Sequence, residues 1–449
     1  MSEQTPSYLA GHLAPVPDEI EALDLQVTGA LPTELTGRYF RNGPNPKPGE
    51  DSGHWFTGHG MIHGVRLNQG RAEWYRNRWV RTKRLVEGAP SIRPDGTRDL
   101  AAGAANTSVI EHGGRIFALM ETSFPYEMSP DLDTLGPCDF NGRLTTGMTA
   151  HPKEDPETGE LHLFDYSVRP PFLTYHRLSA DGQLITNFPV RVPGPTMMHD
   201  FAITRNHVVW LDLPVVFDME LVGHGMPYQW SDKYTSRIGL MGKDDPIVQW
   251  FDVEPCYVFH VGNAREDEQG RVVLDAIRYS REAWFTSWSH IGGAAPRAEQ
   301  AAALAVSKLH RWILDPATGK VTEQELDDGA AEFPTVDDRR VGLPNRYLYA
   351  VDRSAIVKYD TDRGVVARHE LGENWRAGEA VFVPAEDSSG EDEGWLLSIA
   401  TNTDPTVASQ LLVHDATDLA AKPVAAVLLP RRVPSGFHGS WIPDGELAR

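Results

Sequence analysis

A chain of 449 residues, 41% hydrophobic and 23% charged, has length for about three average domains or for one large β architecture built of repeated units. Its 40 Gly and 33 Pro exceed what a helix-rich protein carries, because both residues punctuate turns and break helices. With 42 Lys and Arg against 63 Asp and Glu the net charge is −21, which repels phosphate backbones and argues against nucleic-acid binding and attraction to anionic lipid.

From about Tyr39 to Trp441 one grammar recurs: an apolar strand, a Gly/Asp/Asn turn, a second strand. It is read in His63 to Leu67 with turn Asn68-Gln69-Gly70 and strand Ala72 to Val80, then in Ser108 to Ile110 with Gly113-Gly114 and Ile116 to Met120, then in Leu161 to Tyr166. It continues in Phe172 to Leu178 before Ala180-Asp181-Gly182, in Val208 to Leu213, and in Val272 to Tyr279. Lys308 to Leu314 with Asp315 to Gly319, and Tyr347 to Asp352 with Ile356 to Tyr359, complete it. A helix is predicted over Ala298 to Ser307, and the acidic stretch Glu386 to Glu393 reads as a solvated loop.

Hairpins at this spacing without β-α-β alternation predict an all-β fold, a β-propeller, whose blade count the pattern does not give. No linker divides the chain, so a single domain over 1–449 is expected, with about residues 1–35 as an extension packing on it. Cys138 and Cys256 are too few for a disulfide framework and suit a reducing cytoplasm. The first 21 residues lack a basic and apolar leader, and nowhere do 18 apolar residues run together, so a soluble, cytoplasmic protein is expected.

Seventeen His invite a metal reading. On a propeller each blade would send one ligand toward the axis, so ligands should lie far apart in sequence. His151 in TAHP, His199 in MMHDF, His260 in YVFHVGNA and His438 in PSGFHGSW stand at strand ends, separated by 48, 61 and 178 residues. The spacing alone is equally compatible with ordinary hydrogen-bonded imidazoles.

The segments RNGPNP (41–46), HWFTGHGMIHGVRL (54–67), LMETSFPYEM, TAHP, MMHDFAIT, FHVGNA and LPRRVPSGFHGSW (429–441) resemble the carotenoid cleavage oxygenase family, in order and across nearly the whole chain. The resemblance implies a seven-bladed propeller with a helical and loop cap over its iron face. It implies one Fe2+ held by His151, His199, His260 and His438, with Glu121, Glu332 and Glu379 accepting hydrogen bonds from His199, His260 and His438. Four neutral imidazoles suit Fe(II) and leave positions for dioxygen, and outer carboxylates fix the tautomers. Thr107, 14 residues before Glu121, matches a β-branched residue that blocks one open iron position. His54, His59 and His63 look like a ligand cluster, yet the family draws no ligand from that segment, and they are read as structural or pocket-lining.

The implied reaction splits a C=C bond of a conjugated alkene, placing both atoms of O2 in two carbonyl products. Stilbene-cleaving members carry Lys directly before the first outer Glu; here Met120 stands there, and its apolar thioether favours a carotenoid or apocarotenoid. A hydroxystilbene or phenylpropene is the alternative. From other classes, a non-oxidative isomerase and an iron-free binding propeller also fit the fold. Ala283 to Ile291, with Trp284, Phe285 and Trp288, reads as core or as an apolar patch for peripheral membrane contact. No protein partner is implied.

Overall fold

The computed structural model describes residues 5–223, 225–294 and 306–447. Among them lie seven antiparallel sheets of four or more strands, the blades of a seven-bladed β-propeller. By internal packing the chain divides into two compact units: one of Met1–Met148, Arg353–Lys358 and Ala367–Arg449, the other of Thr149–Asp352 and Tyr359–Val366.

In the first unit, one sheet runs in the order Glu21–Leu23, Arg71–Trp79, Gly60–Asn68, Gly37–Pro44, Gly439–Pro443. Tyr39 lies opposite Trp441, so strands from the two ends of the chain share one blade. Both faces are buried, and the period of two along a strand sorts the side chains. Tyr39, Val65 and Tyr75 join one apolar cluster with Val381, Leu397 and Leu411. Phe40, Ile62 and Trp74 join another with Val109, Ile116 and Tyr126. The strands therefore read as near-continuous apolar runs, as expected for sheets covered on both sides. Ser108–His112, Arg115–Leu119, Tyr126–Met128 and Thr134–Pro137 form the next sheet. Val27–Gly29 adds to the sheet that carries Gly394–Asn402 and Gln410–Asp415, so residues before 35 supply sheet edges as well as buried Leu13 and Val16.

In the second unit, Leu161–Tyr166, Leu173–Leu178 and Leu184–Val190 form three strands of one sheet. His207–Asp212 and Arg237–Gly242 are central to the next, with the hairpin Val215–Phe217 and Tyr228–Trp230 inserted between them. Tyr257–Glu266, Val272–Tyr279, Lys308–Asp315 and Lys320–Glu325 form a third. Trp210, fully buried, packs against Phe164, Tyr175 and Phe201. One pairing recurs in both units: His63 Nδ1 meets the Tyr75 hydroxyl at 2.8 Å, and His162 Nδ1 meets the Tyr175 hydroxyl at 2.7 Å, each on a diagonal across a hairpin.

The predicted strands fall within one or two residues of the observed ones, except that the strand predicted from His63 begins at Gly60, and Glu386 to Glu393 lies in the loop between Val381–Pro384 and Gly394–Asn402. The helix predicted over Ala298 to Ser307 lies outside the described residues except for Val306 and Ser307, which are not helical. A helix does form at Arg281–His290, where the Ser280 side chain caps the Ala283 N–H. Trp284 and Trp288 stack at 5.1 Å and are both fully buried, and Phe285 is 4% exposed. Of the two readings of this segment, core and membrane-docking patch, the burial of these three side chains supports core. Among the described residues no helix is long and apolar enough to cross a membrane.

Candidate metal centre

His151, His199 and His260 stand at the opening strands of three successive blades, and His438 stands at the last strand of the chain. His151 precedes Lys153–Glu154 and His199 precedes Ala202–Ile203, each the opening strand of its sheet, and His260 lies within the opening strand Tyr257–Glu266. Glu332 begins Glu332–Thr335, Glu379 precedes Val381–Pro384, Thr107 precedes Ser108–His112, and His438 precedes Gly439–Pro443. The pairing register shifts between Val258 and Val261, so His260 sits in a bulge, a device that re-aims a side chain out of the ladder.

In the second unit three imidazoles converge. His151 Nε2 and His199 Nε2 are 3.0 Å apart. The His260 ring centroid lies 5.3 Å from that of His151 and 5.2 Å from that of His199. All three are at most 9% exposed. Two imidazole nitrogens on cis positions of one ion, each bonded at about 2.1 Å, come to about 3 Å apart, so the donor set and its spacing fit a divalent transition metal.

His260 is oriented from behind. Its Nδ1 bonds Glu332 Oε2 at 2.5 Å, while Glu332 Oε1 accepts from the Tyr279 hydroxyl at 2.7 Å and Oε2 also accepts from the Phe333 N–H at 2.7 Å. Burial works to raise the Glu332 carboxyl, but His260, Tyr279 and the Phe333 N–H outweigh it, and its pKa is lowered. An ionised carboxylate on Nδ1–H puts the imidazole lone pair on Nε2, the tautomer a metal needs. Phe333 stacks on His260 at 5.0 Å from a left-handed backbone (φ 49°) that a non-glycine residue seldom adopts.

Asp200, only 2% exposed, is a residue that sequence reading passed over. Its Oδ1 accepts from Phe201 N and pairs with Lys153 Nζ at 2.8 Å, and its Oδ2 accepts from Val261 N at 2.8 Å. One carboxylate thus ties together the segments carrying His151, His199 and His260. The signal was present in MMHDF, where an acid follows a candidate ligand directly, but nothing in the sequence reports its partners.

In the first unit His438 repeats the arrangement. Its Nδ1 lies 2.9 Å from Glu379 Oε1, and Gly439 N donates to Glu379 Oε2 at 2.7 Å. The His438 N–H reaches the Thr107 carbonyl at 3.3 Å. The Thr107 hydroxyl donates to Asn106 Oδ1 at 3.0 Å, which fixes its rotamer, and Asn106 Nδ2 is held by the carbonyls of Phe56 and Gly58. Glu121 is half-buried just past the strand Arg115–Leu119. Met120, also half-buried, accepts the Ala104 N–H on its sulfur at 3.0 Å.

His54, His59 and His63 disperse to separate partners. His54 Nδ1 accepts from Phe56 N, His59 Nε2 lies 3.3 Å from Glu50, and His63 bonds Tyr75. Burial drives His54 down to about 3.

The family model for retinal pigment epithelial membrane protein matches residues 13–443. A carotenoid cleavage oxygenase of Mycobacterium tuberculosis is 39% identical, with 98% of each chain covered. The chain belongs to the carotenoid cleavage oxygenase family. Another member, the carotenoid 9,10(9',10')-cleavage dioxygenase 1 of Arabidopsis thaliana, is 34% identical over 98% of this chain and 90% of its own. Among solved structures of the family, the lignostilbene dioxygenase of Pseudomonas brassicacearum superposes with a TM-score of 0.86 at 28% identity, covering 99% of this chain and 100% of that one. The cobalt-substituted ACO of Synechocystis gives 0.82 at 26% identity, covering 96% and 97%. As a carotenoid cleavage oxygenase the protein is an oxygenase, and its histidine cluster is of the kind a metal-dependent oxygenase requires.

Proposed function

We propose that the protein is a non-haem Fe(II) dioxygenase that converts one C=C bond of a conjugated alkene and one O2 into two carbonyl groups. The observation that carries this reading is the convergence of His151, His199 and His260, with Nε2 atoms of the first two 3.0 Å apart. His438, braced by Glu379 as His260 is by Glu332, is the fourth ligand, and Glu121 serves His199.

When bound, the iron supplies the site for O2 activation that no side chain of this chain offers. The remaining tasks fall to residues. Glu332 and Glu379 accept Nδ1–H from His260 and His438 and so fix the tautomer and ring angle that leave each Nε2 lone pair for the metal. Asp200 holds the three ligand segments of the second unit in register. Thr107, its hydroxyl committed to Asn106, is the β-branched residue that would narrow access to one side of the metal. Near-complete burial of the histidines keeps bulk water from the reacting alkene.

The substrate favoured is a carotenoid or apocarotenoid. The relatives of higher identity carry carotenoid cleavage in their names, and Met120 offers a thioether where a phenol would call for a cation. The close superposition on a lignostilbene dioxygenase keeps a hydroxystilbene as the second reading.

The test is metal analysis of protein expressed in iron-rich medium, with His151→Ala and His59→Ala compared. The proposal expects one iron per chain, lost in His151→Ala and kept in His59→Ala. Active protein holding only zinc would overturn it.

A further inference from the structure

The first sheet buries cations that no acid meets. Register sets Arg41 opposite His63 and His63 opposite Asn77, with Tyr39, Val65 and Tyr75 forming the neighbouring row on the same face. Arg41 is 4% exposed, His63 2%, and Tyr39 and Tyr75 are fully buried. Arg432, 7% exposed, brings a second guanidinium into electrostatic range of both Arg41 and His63. It is anchored by donating to the carbonyl oxygens of His12 at 3.4 Å and Ala14 at 2.7 Å.

The hydrogen-bond inventory here is one-sided. Among the described residues Arg41 makes no ion pair, and the buried Nε–H of Arg41 and of Arg432 find no acceptor; the Tyr39 oxygen takes the Ile399 N–H, and its own O–H is likewise left without an acceptor. What each has left to offer is an N–H or O–H donor. The nearby carboxylates are committed: Glu379 serves His438 and Gly439, and Asp18 pairs with Arg431. The fold makes room for the guanidinium on purpose, since a Cβ at Gly436 would stand 2.4 Å from Arg41 Nη1. Burial pushes Arg41 down only to about 10, so the cation persists at neutral pH. A buried guanidinium with no counter-ion and an Nε–H that finds no acceptor is unfavourable.

We propose that Arg41, Arg432 and the Tyr39 hydroxyl form an internal site for a small monovalent inorganic anion of halide size. A dianion would add a second charge and acceptor oxygens beyond what two guanidiniums and one hydroxyl satisfy, whereas a halide needs only N–H and O–H donors. The ion acts as a structural counter-charge. It fastens the segment 432–438 against Arg41, whose strand also pairs with Gly439 just after His438.

The test uses the iron-loaded full chain. Crystals grown with bromide replacing chloride are measured at the bromine absorption edge, and an anomalous peak in contact with the Arg41 guanidinium is expected. In solution, chloride added against gluconate at constant ionic strength should raise the unfolding midpoint by a few degrees with saturation. Arg41→Met, which keeps bulk and removes the cation, should abolish that rise. An ordered water at Arg41 with no anomalous signal would overturn the proposal, as would an undiminished chloride response in Arg41→Met. If Arg41→Met does not fold, the wild-type bromide map and Arg432→Met decide by the same criteria.

Discussion

His260 and Glu332 stand 72 residues apart in the chain and meet at 2.5 Å, Nδ1 to Oε2, across the opening strands of two successive blades. His438 and Glu379 repeat the relation in the other unit at 2.9 Å, over 59 residues. The same chemistry at two blades shows that these carboxylates brace imidazoles rather than face solvent.

Glu332→Gln and Glu379→Gln should each lower activity by about 10-fold to 100-fold, the range found for outer partners of metal ligands. Gln keeps an acceptor oxygen and loses the charge, so the imidazole stays oriented while its basicity falls. Steady-state rates at matched iron content check this, and wild-type rates in both variants would contradict it.

The strands and turns were legible because strand alternation and Gly/Asp turns are local signals, and the family motifs drew attention to His151, His199 and His260, which the structure brings together. The partners of those residues were not. Asp200 reaches Lys153 and Val261, a relation set by how blades pack and invisible to periodicity. Trp284 and Trp288 looked alike as core or as docking surface, because an apolar run has the same composition in either place. Sequence reads His63 only as structural or pocket-lining and passes over His162; hairpin register sets each against a tyrosine.

Asp200→Asn should loosen the centre without touching a ligand. The substitution breaks a buried ion pair and sets an amide donor against an N–H, a loss of roughly 2–3 kcal/mol. Denaturant unfolding and iron titration of the same preparation measure it; the expectation is a lower midpoint together with weaker iron retention. A variant less stable but with unaltered iron affinity would show that Asp200 holds the fold and not the site.

Acid should destabilise the fold through histidines kept neutral inside it. Burial lowers His54 and His162 to about 3, and His176 and His414 to about 4, from the ordinary 6.5. Between those values and 6.5 the unfolded chain binds protons that the folded chain does not, so stability falls as pH drops below about 6.5 and is insensitive to these groups above it. Each group contributes at most about 1.4 kcal/mol per pH unit in that window. Unfolding midpoints between pH 7.5 and 5 at constant ionic strength should decline, less steeply in His414→Phe. A flat profile would mean these imidazoles are hydrated in solution.

Met120→Lys should depress cleavage of apocarotenoids and raise activity on 4-hydroxystilbenes, since a buried ammonium costs several kcal/mol unless a phenol oxygen or an acid meets it. The Ala104 N–H that now bonds the sulfur would also lose its acceptor. Product profiles of both proteins on the two substrate classes check this, and unmodified protein that prefers hydroxystilbenes would reverse the assignment of substrate.

The central claim, iron-dependent oxidative cleavage, is met most directly by isotope incorporation. Iron-loaded protein is incubated under labelled dioxygen with a panel of apocarotenoids, stilbenes and phenylpropenes, and the carbonyl products are reduced at once to alcohols to stop exchange with water. Mass spectrometry should find two fragments from one alkene, each carrying one labelled oxygen. An unlabelled geometric isomer as the sole product, or fragments whose oxygen comes from water, would contradict the account.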